Sequence, residues 1–257
     1  MPEDELLAAV RRYDPSAERV SGKIKLRELH LLGPIALDPG LTAKARLPID
    51  RSTAYIVKDL RPPRAAVGRF RTEFVLPFTL GMAHALDGTG VLDGAVMTDD
   101  RWFDLWSLQV EDPSDRPGQE DAQWVDHVAS ALLEEPVSAE EMHEVVMPLV
   151  GAAEIEHDED EDEGFQHWSY RPKDDGPVTV ECSSRLAFDF AAAPPLVTWY
   201  PALECGIALE DGTPPIPDEH LHQAGRIALA IAERFGGVPL DAFGFKIERP
   251  EHVRLRP

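Results

Sequence analysis

The run His157-Asp158-Glu159-Asp160-Glu161-Asp162-Glu163 most directly invites chemistry, because closely spaced carboxylates are what hard divalent cations take as ligands. Set against an EF-hand loop, Asp158, Asp160 and Asp162 fall at the first, third and fifth positions. The sixth is Glu163 where the sharp turn needs glycine, and the last is Ser169 where the cage needs a bidentate glutamate. A solvated acidic loop is the expectation, and no metal is assigned.

Other polar groupings fare similarly. His220 and His222 form a His-x-His pair, and Glu140-Glu141-Met142-His143-Glu144 mixes carboxylates with a histidine, but the H-E-x-x-H metalloprotease pattern is absent. Asp93, Asp99, Asp100 and Asp104 cluster where paired carboxylates would act as acid and base if a pocket split their pKa values. Turn residues between Met97 and Trp102 account for them without one. Cys182 and Cys205 are the only cysteines. One disulfide between them is geometrically possible, but with no export signal two reduced, partly buried thiols are expected, and a zinc site built on cysteine is excluded.

Phosphate-cradling and nucleophile motifs are missing: G-x-x-x-x-G-K-[ST], G-x-G-x-x-G and G-x-S-x-G do not occur. Asparagine is absent altogether, which removes Asn-dependent catalysis and N-glycosylation, and lysine is scarce beside arginine. With abundant Ala, Pro, Gly and Asp, this is the composition of a GC-rich, bacterial genome. The densest basic stretch, Arg61, Arg64, Arg69 and Arg71, is too modest for a phosphate-binding stripe, so direct nucleic-acid binding is not expected. Nor is a cofactor.

Charge is distributed unevenly. Residues 1–110 carry 15 acidic and 15 basic residues, 111–170 carry 19 and 1, and 171–257 carry 13 and 9. Nearly all of the net −22 therefore sits in the middle segment. The longest apolar stretch, Phe74 to Leu86, falls short of the roughly 20 residues of a membrane helix. Met1-Pro2-Glu3-Asp4-Glu5 is acidic where a signal peptide would be basic, so a cytoplasmic location is expected.

The elements that must carry these residues read as α+β: mostly antiparallel sheets with helices on one face. Glu3 to Arg12 reads as an amphipathic helix, and Lys23 to Leu32, Leu41 to Ile49 and Thr53 to Val57 as strands. Arg64 to Leu86 reads as a long helix containing Pro77, and Val91 to Met97 as a strand. Gln119 to Glu135 reads as a helix through Trp124, Val128 and Leu132, and Ser138 with Glu141 as a capping box opening another. Glu154 to Gly164 has the composition of a mobile tract. Strands come next at Gln166 to Tyr170, Val178 to Cys182, Arg185 to Phe190, Val197 to Tyr200 and Cys205 to Leu209, then a helix over Glu219 to Phe235 and a strand over Ala242 to Ile247.

A short internal echo relates Ala83 to Gly88, with Leu92-Asp93 beyond it, to Ala232 to Gly237, with Leu240-Asp241 beyond it. It raises the idea of two related α+β units. The organisation expected is an N-terminal unit over 1–110, an acidic helical insert with a mobile loop over 111–164, and a C-terminal unit over 165–257, together one compact body.

The functional expectation is a protein-binding module whose acidic surface engages a basic partner, in its narrowest form a bacterial immunity or antitoxin-type inhibitor. The residues expected to meet the partner are Glu120, Asp121, Asp126, Glu134, Glu135, Glu140, Glu144, Asp158, Asp160 and Asp162. Two alternatives remain. One is an enzyme whose site involves Asp93, Asp99, His84 and His220; the other is an assembly component anchored by Trp102, Trp106, Trp124 and Trp168.

Overall fold

A computed structural model describes residues 3–27, 29–44, 52–60, 69–92, 95–96, 127–151, 153–160, 165–173, 176–184, 196–197, 201–209 and 216–255. The fold is α+β: the described residues form antiparallel sheets of four and six strands, with five helices. The chain divides into two compact units, Met1–Asp112 with Pro194–Leu196, and Pro113–Ala193 with Val197–Pro257.

The first unit opens with α1 (Glu3–Tyr13), whose buried face is Leu6, Val10 and Tyr13. Strands β1 (Glu18–Val20) and β2 (Lys23–Lys25) are joined through Ser21 and Gly22, both with positive φ, the conformation that matches a two-residue turn to the twist of a hairpin. β3 (Leu29–Ala36) and β4 (Thr53–Asp59) complete a meander in the order β1-β2-β3-β4. The single strand expected over Lys23 to Leu32 is thus a hairpin; the Leu26 N–H donates to the Leu29 carbonyl (2.9 Å) and turns the chain back. The strand expected over Leu41 to Ile49 is in its described part the helix α2 (Pro39–Lys44), because proline suits the first helical position, where its missing N–H costs nothing. α3 (Arg69–Ala85) runs through Pro77 as one helix, and Phe78 on it meets the Tyr13 ring at 5.0 Å between centroids. β5 (Val91–Leu92) and β6 (Ala95–Val96) form a small hairpin.

Asp14 ties this unit together. Its Oδ1 accepts from the Ser16 N–H (2.9 Å) and hydroxyl (2.6 Å), closing the turn after α1, while Oδ2 accepts from the Arg27 N–H (2.7 Å) between β2 and β3. The residue is 1% exposed, so these bonds do not compete with water.

The second unit contains β7 (Ala129–Leu133), α4 (Ala139–Val150), β8 (Ala153–Asp160), β9 (Phe165–Pro172), β10 (Val178–Ser184), β11 (Leu203–Leu209), α5 (Asp218–Phe235) and β12 (Val238–Asp241). Its sheet has the order β12-β7-β11-β10-β9-β8. One face, including Trp168, Tyr170, Val180, Cys182, Cys205 and Ile207, joins Met142 and Val146 of α4 and Leu221, Ile227 and Ile231 of α5 in one core. The Ser138 capping box that opens α4 is formed in both directions.

Three expectations about the acidic region and the C-terminal elements need correction. The described part of the segment read as a helix over Gln119 to Glu135 is strand β7: Val128, Ala129, Ala131, Leu132 and Leu133 are all buried, and a strand covered on both faces has a continuous apolar run that periodicity cannot distinguish from a helix. The tract read as mobile is, in its described part over 154–160, within strand β8, paired residue by residue with β9. The final strand is Val238–Asp241 rather than Ala242 to Ile247, because Asp241 Oδ1 accepts from the N–H groups of Phe243 (3.0 Å) and Phe245 (2.9 Å) and turns the chain there. The strands expected at Arg185 to Phe190 and Val197 to Tyr200 lie wholly or mostly outside the described residues.

Among the described elements, and apart from α2, the order helix, four antiparallel strands, helix, strand recurs: α1, β1 to β4, α3, β5 in the first unit, and α4, β8 to β11, α5, β12 in the second. The echoed segments end their helices alike. The Gly88 N–H donates to Ala83 (2.7 Å) and the Gly237 N–H to Ala232 (3.0 Å), each after a residue with positive φ, Asp87 or Gly236.

Replacing Asp14 with alanine removes one acceptor group from three donors. Urea unfolding should show the first unit destabilised by about 2–4 kcal/mol, with Asp14→Ser recovering part of the loss. A loss under about 0.5 kcal/mol would refute the anchoring role.

Candidate functional site

The face of the six-stranded sheet opposite the core carries polar residues in register. Ser169 of β9, Glu181 of β10, Gly206 of β11 and Ser130 of β7 are successive cross-strand partners, and His167, Ser183, Glu204 and Leu132 form the next row. This placement comes from strand alternation, since each lies one residue from a core position.

His127 lies across the first row. The adjacent Val128 N–H donates to the Ile207 carbonyl (2.9 Å), which docks the chain beside β11. The imidazole lies directly over Gly206, in the space a Cβ would take. Its Nε2 is 3.6 Å from Glu181 Oε2 and its Nδ1 is 4.0 Å from Glu204 Oε1.

The two carboxyls are pushed in opposite directions. The hydrogen-bonding approach of His127 holds Glu181 below the ordinary carboxylate range against the effect of burial, with the positive potential of His127, His167 and Arg171 adding to it. Burial raises Glu204, and His127 and a Ser130 hydrogen bond offset only part of this. The Oε2 of Glu204 and the hydroxyl of Ser169 are buried without a hydrogen-bond partner among the described residues. One imidazole thus lies between two carboxyls whose proton affinities are shifted in opposite directions, the kind of asymmetry that acid–base pairs use. His127 is 31% exposed, which opens the cluster to solvent.

None of these residues stands out in the sequence. The usable signal is weak: Glu181-Cys182 and Glu204-Cys205 are two copies of one dipeptide in neighbouring strands.

The residues expected from sequence are placed elsewhere. Glu134 and Glu135 are exposed between β7 and α4, Glu140 and Glu144 are exposed on α4, and Asp158 and Asp160 lie on β8. Glu120, Asp121, Asp126 and Asp162 lie outside the described residues, as do Asp93, Asp99, Trp102, Trp106 and Trp124. His84 is buried in α3 and His220 half-buried in α5. Trp168, expected as an interface anchor, is 1% exposed in the core. Among the described residues, no three His, Cys, Asp or Glu side chains are grouped to hold a metal ion, and no helix is long and apolar enough to cross a membrane. Comparison with protein-family models, curated proteins and solved structures finds no match.

Gly206→Ala forces the imidazole aside and should cost the second unit about 1–3 kcal/mol, a penalty that shrinks by more than half when His127 is also alanine; independent, additive effects would disprove the contact. The carboxyl pair also sets a pH dependence. With its folded-state pKa raised, Glu204 contributes stability that is complete below the ordinary carboxylate range and is lost as pH rises through the raised value. Glu181, with a lowered pKa, contributes above that range and loses its contribution as pH falls through the lowered value. Glu204→Gln, neutral at every pH, should therefore melt about 2–6 °C above the parent near pH 7 and converge with it near pH 4. A pH-independent difference would mean that Glu204 is not the titrating group.

Proposed function

We propose that the chain is a protein-binding module that captures a basic partner, in its narrowest form an inhibitor of the bacterial immunity or antitoxin type. The observation that carries this reading is the way the acidic segment is held. From Glu134 to Asp160 there are ten carboxylates and no lysine or arginine. Glu134, Glu135, Glu140, Glu144, Glu154 and Glu156 are exposed on a turn, a capped helix and a strand at the end of the sheet order.

Carboxylates on regular elements present a fixed pattern, whereas a tail presents only an average field. Fixed like charges repel one another in the free protein, and a cationic partner relieves that repulsion as it binds. The same field opposes a phosphate-binding surface, which is why a nuclease or similarly basic toxin is the partner class that fits best. The polar cluster around His127 favours a second reading, acid–base catalysis, on the single ground of its oppositely shifted carboxyls.

Two quadruple variants separate surface recognition from net charge. Glu134, Glu135, Glu140 and Glu144 are changed to Gln in one, and the exposed Glu219, Glu233, Glu248 and Glu251 in the other. Partners retained from host lysate by the parent chain are identified, purified and measured individually by biolayer interferometry. A basic partner should associate at least tenfold more slowly with the first variant, within about twofold of the parent with the second, and much more slowly at high salt. Equal losses in both variants, salt-insensitive association, or no basic partner would each overturn the proposal.

A further inference from the structure

The chain has two cysteines among 257 residues, and the fold brings them face to face. Cys182 of β10 and Cys205 of β11 are direct cross-strand partners with Sγ atoms 2.8 Å apart. Both are free and fully buried on the core side of the sheet, flanked in the same row by Trp168 of β9 and Ala131 of β7. Directly opposed residues of an antiparallel pair have Cβ atoms about 4.5–5.5 Å apart, and a disulfide needs about 3.5–4.5 Å, so closure asks for only a small approach of the two strands. No other thiol in the chain competes for either sulfur.

We propose that Cys182 and Cys205 form a thiol–disulfide site that closes into a cross-strand disulfide when a small-molecule disulfide oxidant is supplied. One thiolate attacks the oxidant, forming a mixed disulfide and releasing one equivalent of its thiol. The second cysteine, as thiolate, then attacks the protein sulfur of that mixed disulfide and releases the other equivalent. In sum two protein thiols are oxidised, the oxidant is reduced to two thiols, and the two cysteine protons pass to them.

Access rather than geometry sets the rate. The sulfurs lie in the core between strands and helices, so the first attack waits on local opening of the β10–β11 ladder. Burial, then the contact with Cys182, raises the Cys205 thiol and keeps its thiolate scarce until that opening occurs. Once formed, the bond fixes the register of the two strands that carry Glu181 and Glu204, each the immediate neighbour of one cysteine and facing the other side of the sheet. The site therefore links the oxidation state of one face to the carboxyl spacing on the other.

The test uses the full chain and oxidised glutathione as the probe. Native protein is incubated with it, acid-quenched, denatured and alkylated, then examined by intact mass and non-reducing electrophoresis. Alkylatable thiols should fall from two to none per chain, with an intact mass about 2 Da lower before alkylation, a monomeric band and a melting temperature several degrees higher, all reversed by reductant. Cys182→Ala and Cys205→Ala should lack that rise and form no intramolecular bond. Two thiols persisting after prolonged oxidation, a stable glutathione adduct, an intermolecular dimer, or closure only in the denatured chain would each overturn the proposal. The thiol count on unmutated protein decides the matter even if neither variant folds.

Discussion

The register of β10 on β11 is the constraint on which the second unit depends. Cys182 opposes Cys205, and with that pairing Val180 and Ile207 face the helices while Glu181 and Glu204 face away. Because side chains alternate, sliding one strand by a single residue would turn its carboxylate into the apolar core and its cysteine out of it. Among the apolar core side chains a carboxylate would have no polar neighbour, whereas in this register Glu181 and Glu204 lie beside His127, so the register that satisfies the core also selects the polar row. The thiol pair and the imidazole–carboxylate cluster are two faces of one alignment.

That alignment also explains how so acidic a segment folds. β8 carries carboxylates along its length, and Glu154, Ile155 and Glu156 on it are all exposed. Its position comes from β9, which supplies a continuous ladder and Arg171, 3.4 Å from Glu156. An exposed ion pair of this kind adds little, so the backbone ladder holds the strand. β9 in turn is anchored by Trp168 and Tyr170 in the core. Charge at the end of the sheet is thus carried by hydrophobic burial one strand inward, and the same charge discourages unwanted edge-to-edge pairing.

These dependencies set how much of the structure is legible in the sequence. Elements that carry their own signal are legible: α5 with its left-handed Gly236, the Ser138 capping box, and strand β10, where Val178, Val180 and Cys182 alternate with Thr179, Glu181 and Ser183. β7 is not, because residues on both of its faces are buried, which leaves a nearly continuous apolar run with no alternation to read. β8 is not, because composition reports solvation and says nothing of the partner strand. The cluster is hidden for a third reason: His127, Glu181 and Glu204 are separated in sequence, and only pairing through β7, β10 and β11 assembles them.

The recurrence of helix, four-strand meander, helix and strand shows what distinguishes the second unit. In the first, the meander is the whole four-stranded sheet, ending at β4. In the second, β7 is seated against β11 and β12 pairs on its far side, which extends the meander to six strands. β7 contributes Ser130 and, just before it, His127, so the added strand completes the polar row that the meander only begins. Gly206 belongs to the meander but has its purpose in the addition, since any larger residue would exclude the imidazole. The first unit's described sheet has no strand beyond β4, and its own cross-strand polar row, Glu18, Lys25, His30 and Lys58, sets its imidazole beside lysines rather than between carboxylates. The carboxylate–imidazole cluster therefore arises from the insertion of β7 and not from the order of elements the two units share.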